Sequence, residues 1–218
     1  MILLTSLLAG WLAGLLYARW QKRTWTVPPL RFPWFVVIAF LPQFFAFYLP
    51  ATRTQIPDSL TAVSLIISQI LLLAFCWLNR RLAGVWVFTC GTALNLAVIA
   101  ANGGFMPISP ETASRLVPAT VMQTVQIGAR FGHGKDVLLL LENTRLAWLS
   151  DRFLLPAWFP YQVAFSLGDL LIAAGAFWLM LAQGRPLNSS TKSKKKVDDD
   201  IHSDTKTIPA TGSYHGRK

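Results

Sequence analysis

The chain has 218 residues, of which 53% are hydrophobic and 14% charged. Its mean hydropathy is +0.44, concentrated in a few uninterrupted blocks, which excludes an ordinary soluble domain and reads as a polytopic membrane protein. The formal net charge of +10 does not call for a nucleic-acid partner, because Lys and Arg cluster beside apolar runs and in the C-terminal tail, where topology and lipid headgroups account for them.

Five runs approach the length needed to cross a hydrocarbon core of roughly 30 Å at about 1.5 Å per residue. They cover residues 1–17, 33–49, 60–78, 82–101 and 163–182. No positive charge precedes the first run, Arg19, Lys22 and Arg23 follow it, and no small-x-small cleavage site is present. It reads as a retained helix and not as a secretory signal. Short cytoplasmic loops accumulate Lys and Arg. Arg19, Lys22, Arg23 and Arg31 follow the first run, Arg80 and Arg81 the third, and Arg185, Lys192, Lys194, Lys195 and Lys196 the fifth, whereas the loop after the second has Arg53 offset by Asp58. The expected fold is an all-α membrane protein of five transmembrane helices in the bacterial plasma membrane, N-terminus outside and C-terminus inside. Residues 1–186 form the membrane domain, 102–162 an extracytoplasmic or re-entrant segment, and 187–218 a polar, charge-blocked, disordered cytoplasmic tail. Cys76 and Cys90 lie inside apolar runs and are expected to pack as small hydrophobes.

The fourth run ends in Asn102-Gly103-Gly104-Phe105-Met106-Pro107. Two glycines free to take positive φ, followed by a proline, end the helix and fold the chain sharply at the membrane surface. Ser109-Pro110-Glu111 then looks like a helix start, with Ser109 as N-cap, and a short outer helix is expected over 110–126, strained or broken at Pro118. The stretch "IGARFGHGKD" lacks the strand and spacing of a phosphate loop. It reads as a flexible basic loop with His133 on the surface. The remainder to residue 162 is expected at the outer interface or dipping back as a lid, with Trp148, Trp158, Phe159 and Tyr161 at headgroup level.

Polar groups within the apolar runs need a reason. Asp169 sits about two turns into the fifth run, where an ionised carboxylate facing lipid would cost about 3 kcal/mol. It should face inward, paired or protonated, with Ser166 and Asn95 as partners within reach. Asn95 suits an interhelical hydrogen bond. Gly10, Gly14, Gly168 and Gly175 suit close helix approach. Asp151, flanked by Ser150 and Arg152, is expected either to pair with Arg152 or Arg145 at the surface or to meet Asp169 across the turn "PAWFP". Two carboxylates sharing a proton could activate water.

The motifs "ANGGFMPIS", "TRLAWLSD" and "FSLGDLLIAAG" resemble an uncharacterised bacterial family of small multi-helix membrane proteins, a domain of unknown function, over residues 1–183. That resemblance implies no activity. "LSDRF" followed by "FSLGDLLIAAG" also resembles the paired-aspartate region of lipoprotein signal peptidase, which would make Asp151 and Asp169 a catalytic pair. Ala147-Trp148 stand where that family has Gly-Asn, and Phe165-Ser166 where it has Phe-Asn.

Three function classes follow. A lipid or small-molecule binding protein would use an outer-face site built from Asn95, Asn102, Gly103, Gly104, Met106, Pro107, Thr144, Arg145, Ser166 and Asp169. A hydrolase would use Asp151 and Asp169. An accessory subunit would offer a helix face to a partner. No nucleotide loop, zinc pair, haem motif or Ser-His-Asp set is present, so no metal or cofactor is expected.

Overall fold

Helices form where the sequence is continuously apolar. The computed structural model describes residues 2–49, 51, 55–132 and 134–186. The expected tail, Met1 and His133 lie outside the described residues. Of the described residues 57% are helical, and the five apolar runs correspond to α1 (Ile2–Trp20), α2 (Trp34–Gln43), α3 (Asp58–Leu78), α4 (Val85–Ala101) and α7 (Leu167–Leu181). Two of these, α1 and α3, are long and apolar enough to cross a membrane; the other three are shorter apolar helices. Between α4 and α7, α5 (Pro110–Ala113) and α6 (Ala119–Met122) are single turns, and among the described residues six short strands pair into three two-stranded sheets. The all-α expectation therefore holds for the long helices and not for the connections, where short extended pieces pair their backbone groups with one another.

Small residues decide how the helices pack. On α1, Gly10, Gly14 and Ala18 recur every four residues and are the buried positions, while Leu4, Leu8, Leu12 and Leu16 on other faces stay exposed. A Cβ on Gly10 would fall 2.7 Å from the Phe177 carbonyl, and one on Gly14 equally close to that of Met180. The Ser6 hydroxyl donates to the Ala173 carbonyl. Gly168 and Gly175 play the same part on α7, against α4. The packing role expected of these four glycines is what the helices use.

The packed pairs run α2–α3, α3–α4, α4–α7 and α7–α1. The bundle is thus an arc, and its two ends, α1 and α2, are not joined by comparable packing among the described residues. α2 does not continue as a regular helix, because Pro42 removes a backbone donor and the chain passes into a π turn at Phe44–Tyr48.

The two ends of the bundle differ. At one end, β1 (Arg23–Trp25) pairs antiparallel with β6 (Gly184–Pro186). There too the buried Asn79 side chain accepts from the Arg31 N–H at 2.7 Å and donates to the Arg31 carbonyl at 3.0 Å. At the other end, residues 102–162 form a cap whose core, Ile108, Ala113, Phe131 and Leu138, is completed by Ala164 just beyond it. The single outer helix expected over 110–126 is replaced by α5 and α6, broken at Pro118 as the proline requires. Ser109 does cap α5, accepting from the Thr112 N–H at 3.1 Å. The glycine-rich stretch is a hairpin and not a loose loop. Phe131 N–H donates to the Asp136 carbonyl and Leu138 N–H to that of Ala129, with Gly128 and Gly132 supplying positive φ.

Candidate functional site

The Gly103-Gly104 exit from α4, at φ +75° and +92°, delivers the chain to β2 (Met106–Ile108). β2 pairs in parallel with β3 (Asp136–Leu138) on one side and bridges to Asp151 on the other. Its backbone therefore sets two functional side chains at once. Met106 N–H donates to the Lys135 carbonyl at 2.9 Å, and Asp151 N–H donates to the Pro107 carbonyl at 3.1 Å. Met106 and Pro107 themselves are buried, Met106 within the core of Phe47, Leu65, Val98 and Ile99. Their part is to hold the frame.

Across that frame lies the start of α7. The apolar run from Val163 reads as helix, but Ala164–Phe165 is strand β5, paired with β4 (Phe153–Leu154), and the helix begins only at Leu167. Ser166 and Asp169 form a reciprocal capping box: the Ser166 hydroxyl accepts from the Asp169 N–H at 3.0 Å, and the Asp169 carboxylate accepts from the Ser166 N–H at 3.3 Å. Asp169 is thus in the first turn of α7, not two turns inside it, where the helix dipole favours a negative charge.

Asn95 on α4 completes this side. Its amide donates to Asp169 Oδ1 at 2.7 Å, and its carbonyl accepts from the Ser166 hydroxyl at 2.9 Å. Gly168 makes room for it, since a Cβ there would meet the Asn95 side chain. The expected interhelical hydrogen bond of Asn95 is present and has the expected partners.

Lys135 joins the two sides. Its Nζ lies 3.1 Å from Asp151 Oδ2 and 3.2 Å from Asp169 Oδ2. The surface pairing considered for Asp151 with Arg152 or Arg145 does not form. Asp151 is 1% exposed, its backbone bridged to β2, and the hairpin lysine reaches it instead. Nor does a hydrogen bond join the two aspartates; they meet on one ammonium, and neither carboxylate oxygen of Asp151 makes a hydrogen bond of normal geometry with a described residue. Lys135 and its neighbour Asp136 were not among the residues expected from sequence, since nothing local in "HGKD" marks a half-buried cation.

Three carboxyls around one ammonium cannot all be charged in a buried site. Burial pushes the Asp151 carboxyl well above the usual carboxylate range, Lys135 opposing and Asp136 and Asp169 adding to the rise. Burial likewise raises Asp136, against the pull of Lys135. Burial works against the charge on Lys135 too, but the carboxylates of Asp151, Asp169 and Asp136 outweigh it and lift its pKa above the ordinary lysine value. The folded protein therefore keeps a proton on Asp151 that the unfolded chain releases above about pH 4. The native state binds more protons over that window, so stability is full below it and declines as pH rises through the folded-state value. Thermal unfolding in detergent should show this decline, and Asp151→Asn should flatten it; an unchanged slope in the variant would contradict a protonated Asp151.

The remaining expected site residues lie apart. Asn102 ties the end of α4 to the cap, accepting from the Arg145 N–H at 2.9 Å and donating to the Arg145 carbonyl at 2.8 Å. The Thr144 hydroxyl donates to the Leu140 carbonyl. Gly103 has open space around it, and Gly104 lies against Ala62. Among the described residues no group of three or more His, Cys, Asp or Glu side chains could hold a metal.

Inside the arc is a cavity of about 480 Å³, within the usual range for small-molecule sites. Its walls are apolar over most of their extent, including Leu72, Phe75, Phe88, Ala176 and Leu179, and Lys135, Asp169 and Asn95 line it as well. A second cavity of about 200 Å³, lined by Ile2, Leu3, Val163, Ala164 and Ile172, also touches Lys135 and Asp169.

No curated protein and no solved structure matches the chain. A family model does match, over residues 28–181, from ahead of α2 to the end of α7. With most of the bundle and the whole Lys135 cluster inside that match, the chain belongs to DUF5317, a family of unknown function.

Proposed function

We propose that this is a five-span membrane protein that binds an amphiphile from the bilayer, with its binding site at the outer membrane face. The observation that carries the reading is the cavity: an apolar chamber inside a helix arc, with a lysine–aspartate–asparagine cluster as its polar part. An apolar chain fills the chamber while a polar head meets Lys135 and Asp169. The orientation, N-terminus outside, is supported by the basic loops. The Arg31 backbone is bonded to the side chain of Asn79, the residue before Arg80, at one end of the bundle, and β1 and β6 bring residues 23–25 and 184–186 to one another. The exposed leucines of α1, together with Leu60, Val63, Ile67 and Ile70 of α3, suit lipid and would be costly in water. Entry is lateral, through the unpacked side between α1 and α2.

Filling the chamber tests the reading. Native mass spectrometry of the full chain released from membranes should find one retained amphiphile, and Ala176→Phe or Leu72→Trp should lower retention about tenfold, equivalent to about 1.4 kcal/mol. Both positions line the cavity, and two variants guard against one simply failing to fold. Retention unchanged in both would sink the proposal.

A further inference from the structure

The cavity has a second polar wall. The α3–α4 hairpin packs Phe75 and Cys76 against Val85 and Leu65 against Val98 and Ile99, so by helical register Ser68 comes level with Asn95. Ser68 and Gln69 line the chamber with Gln43, on the side formed by α2 and α3. Ser68 is 2% exposed, and Ser68 Oγ and Gln69 Oε1 are buried without a hydrogen-bond partner among the described residues. A buried polar atom left unpaired is destabilising, and here two such atoms fall at the depth where Asn95 holds Asp169.

The hydrogen-bonding capacity of the chamber can be counted. Asn95 spends one amide N–H on Asp169 and its carbonyl on Ser166, which leaves one N–H. The Lys135 ammonium has three N–H donors and spends one in a hydrogen bond to Asp169, which leaves two, with the Asp151 carboxyl 3.1 Å away. Gln69 Oε1 is an open acceptor, and the Ser68 hydroxyl can act either way. A phosphate or carboxylate could accept from Lys135 but would face the Asp169 carboxylate beside it. An ammonium head would suit Asp169 and meet Lys135. A hydroxyl both donates and accepts, and it carries no charge to set against a cluster that already neutralises itself.

We infer that the ligand head is an uncharged polyol, as in an acylglycerol, held between Lys135 on one wall and Ser68 and Gln69 on the other. This rests on the amphiphile-binding reading. The test loads nanodiscs containing the full chain with a saturated monoacylglycerol, or with the fatty acid or the lysophosphatidic acid of the same chain length, and reads retention by native mass spectrometry. The monoacylglycerol should be retained in preference to both anions. The double variant Ser68→Ala, Gln69→Leu should retain it about tenfold less, for two lost hydrogen bonds, while melting at or above the wild-type temperature because it removes two orphaned polar atoms. If the anions are retained as well as the monoacylglycerol, or the double variant retains it fully, the polyol assignment fails and amphiphile binding stands. If the wild type retains none of the three, both fail together.

Discussion

Replacing Lys135 by methionine is expected to destabilise the protein by about 3 kcal/mol, the lower end of the cost of breaking a buried ion pair by removing one partner. The lower end applies because the lysine side chain is 31% exposed. Methionine preserves much of the stem's packing, so the loss falls on the charge. Without the ammonium, Asp169 keeps only Asn95 and the cap of its own helix, and its charge is left without the Lys135 counter-charge. Unfolding by SDS titration reads the effect. Adding Asp169→Asn to Lys135→Met should recover part of the loss, giving a non-additive cycle of the kind that groups in direct contact produce. Strict additivity, or a single variant as stable as the parent, would mean that the ion cluster does not hold the cap to the bundle.

A loss of similar size is expected from Gly175→Leu. α4 and α7 meet through reciprocal glycines, Gly84 and Gly91 on one side and Gly168 and Gly175 on the other. A Cβ on Gly175 would lie 2.5 Å from the Phe88 nitrogen and 2.7 Å from the Gly84 carbonyl, and one on Gly91 would lie 2.5 Å from the Gly168 carbonyl. Backbone cannot yield as a side chain does, so the helices must separate, costing about 3 kcal/mol at the upper end of overpacking. Separation also draws Asn95 away from Asp169, so amphiphile retention should fall along with stability. Gly134→Ala is the control: its Cβ would meet nothing closer than Asp136 Oδ2 at 3.9 Å, and a change within about 0.5 kcal/mol is expected. If Gly175→Leu melted like that control, the close helix contact would be wrong.

The parts of this arrangement legible in the sequence are those governed by short-range rules. Continuous apolarity located the five helices, and glycines at helical spacing located their contacts. Asn95 and Asp169 were legible as partners because polar groups within apolar helices have few alternatives. The start of α7 was misplaced because Val163 to Phe165 are as apolar as the helix that follows. The signal against it was present in Ser166-x-x-Asp169, the spacing of a capping box. Lys135 was not legible at all. Its position depends on the parallel pairing of Met106–Ile108 with Asp136–Leu138, a contact between segments far apart in sequence that no local pattern encodes. Once Lys135 is placed, Asp151 turns from a surface residue into a buried one.

The neighbours α1 and α7 carry a consequence for the order of assembly. Ser6 and Ala173, which bond across their contact, are 167 residues apart in the chain. At a synthesis rate of about 5–20 residues per second, α1 waits roughly ten to thirty seconds for the helix that covers its glycine face. During that interval the small-residue stripe of Gly10, Gly14 and Ala18 stands open to any other nascent helix. The strand pair of Arg23–Trp25 with Gly184–Pro186 can form only when that wait ends, so it ties the two helices together after both have been made.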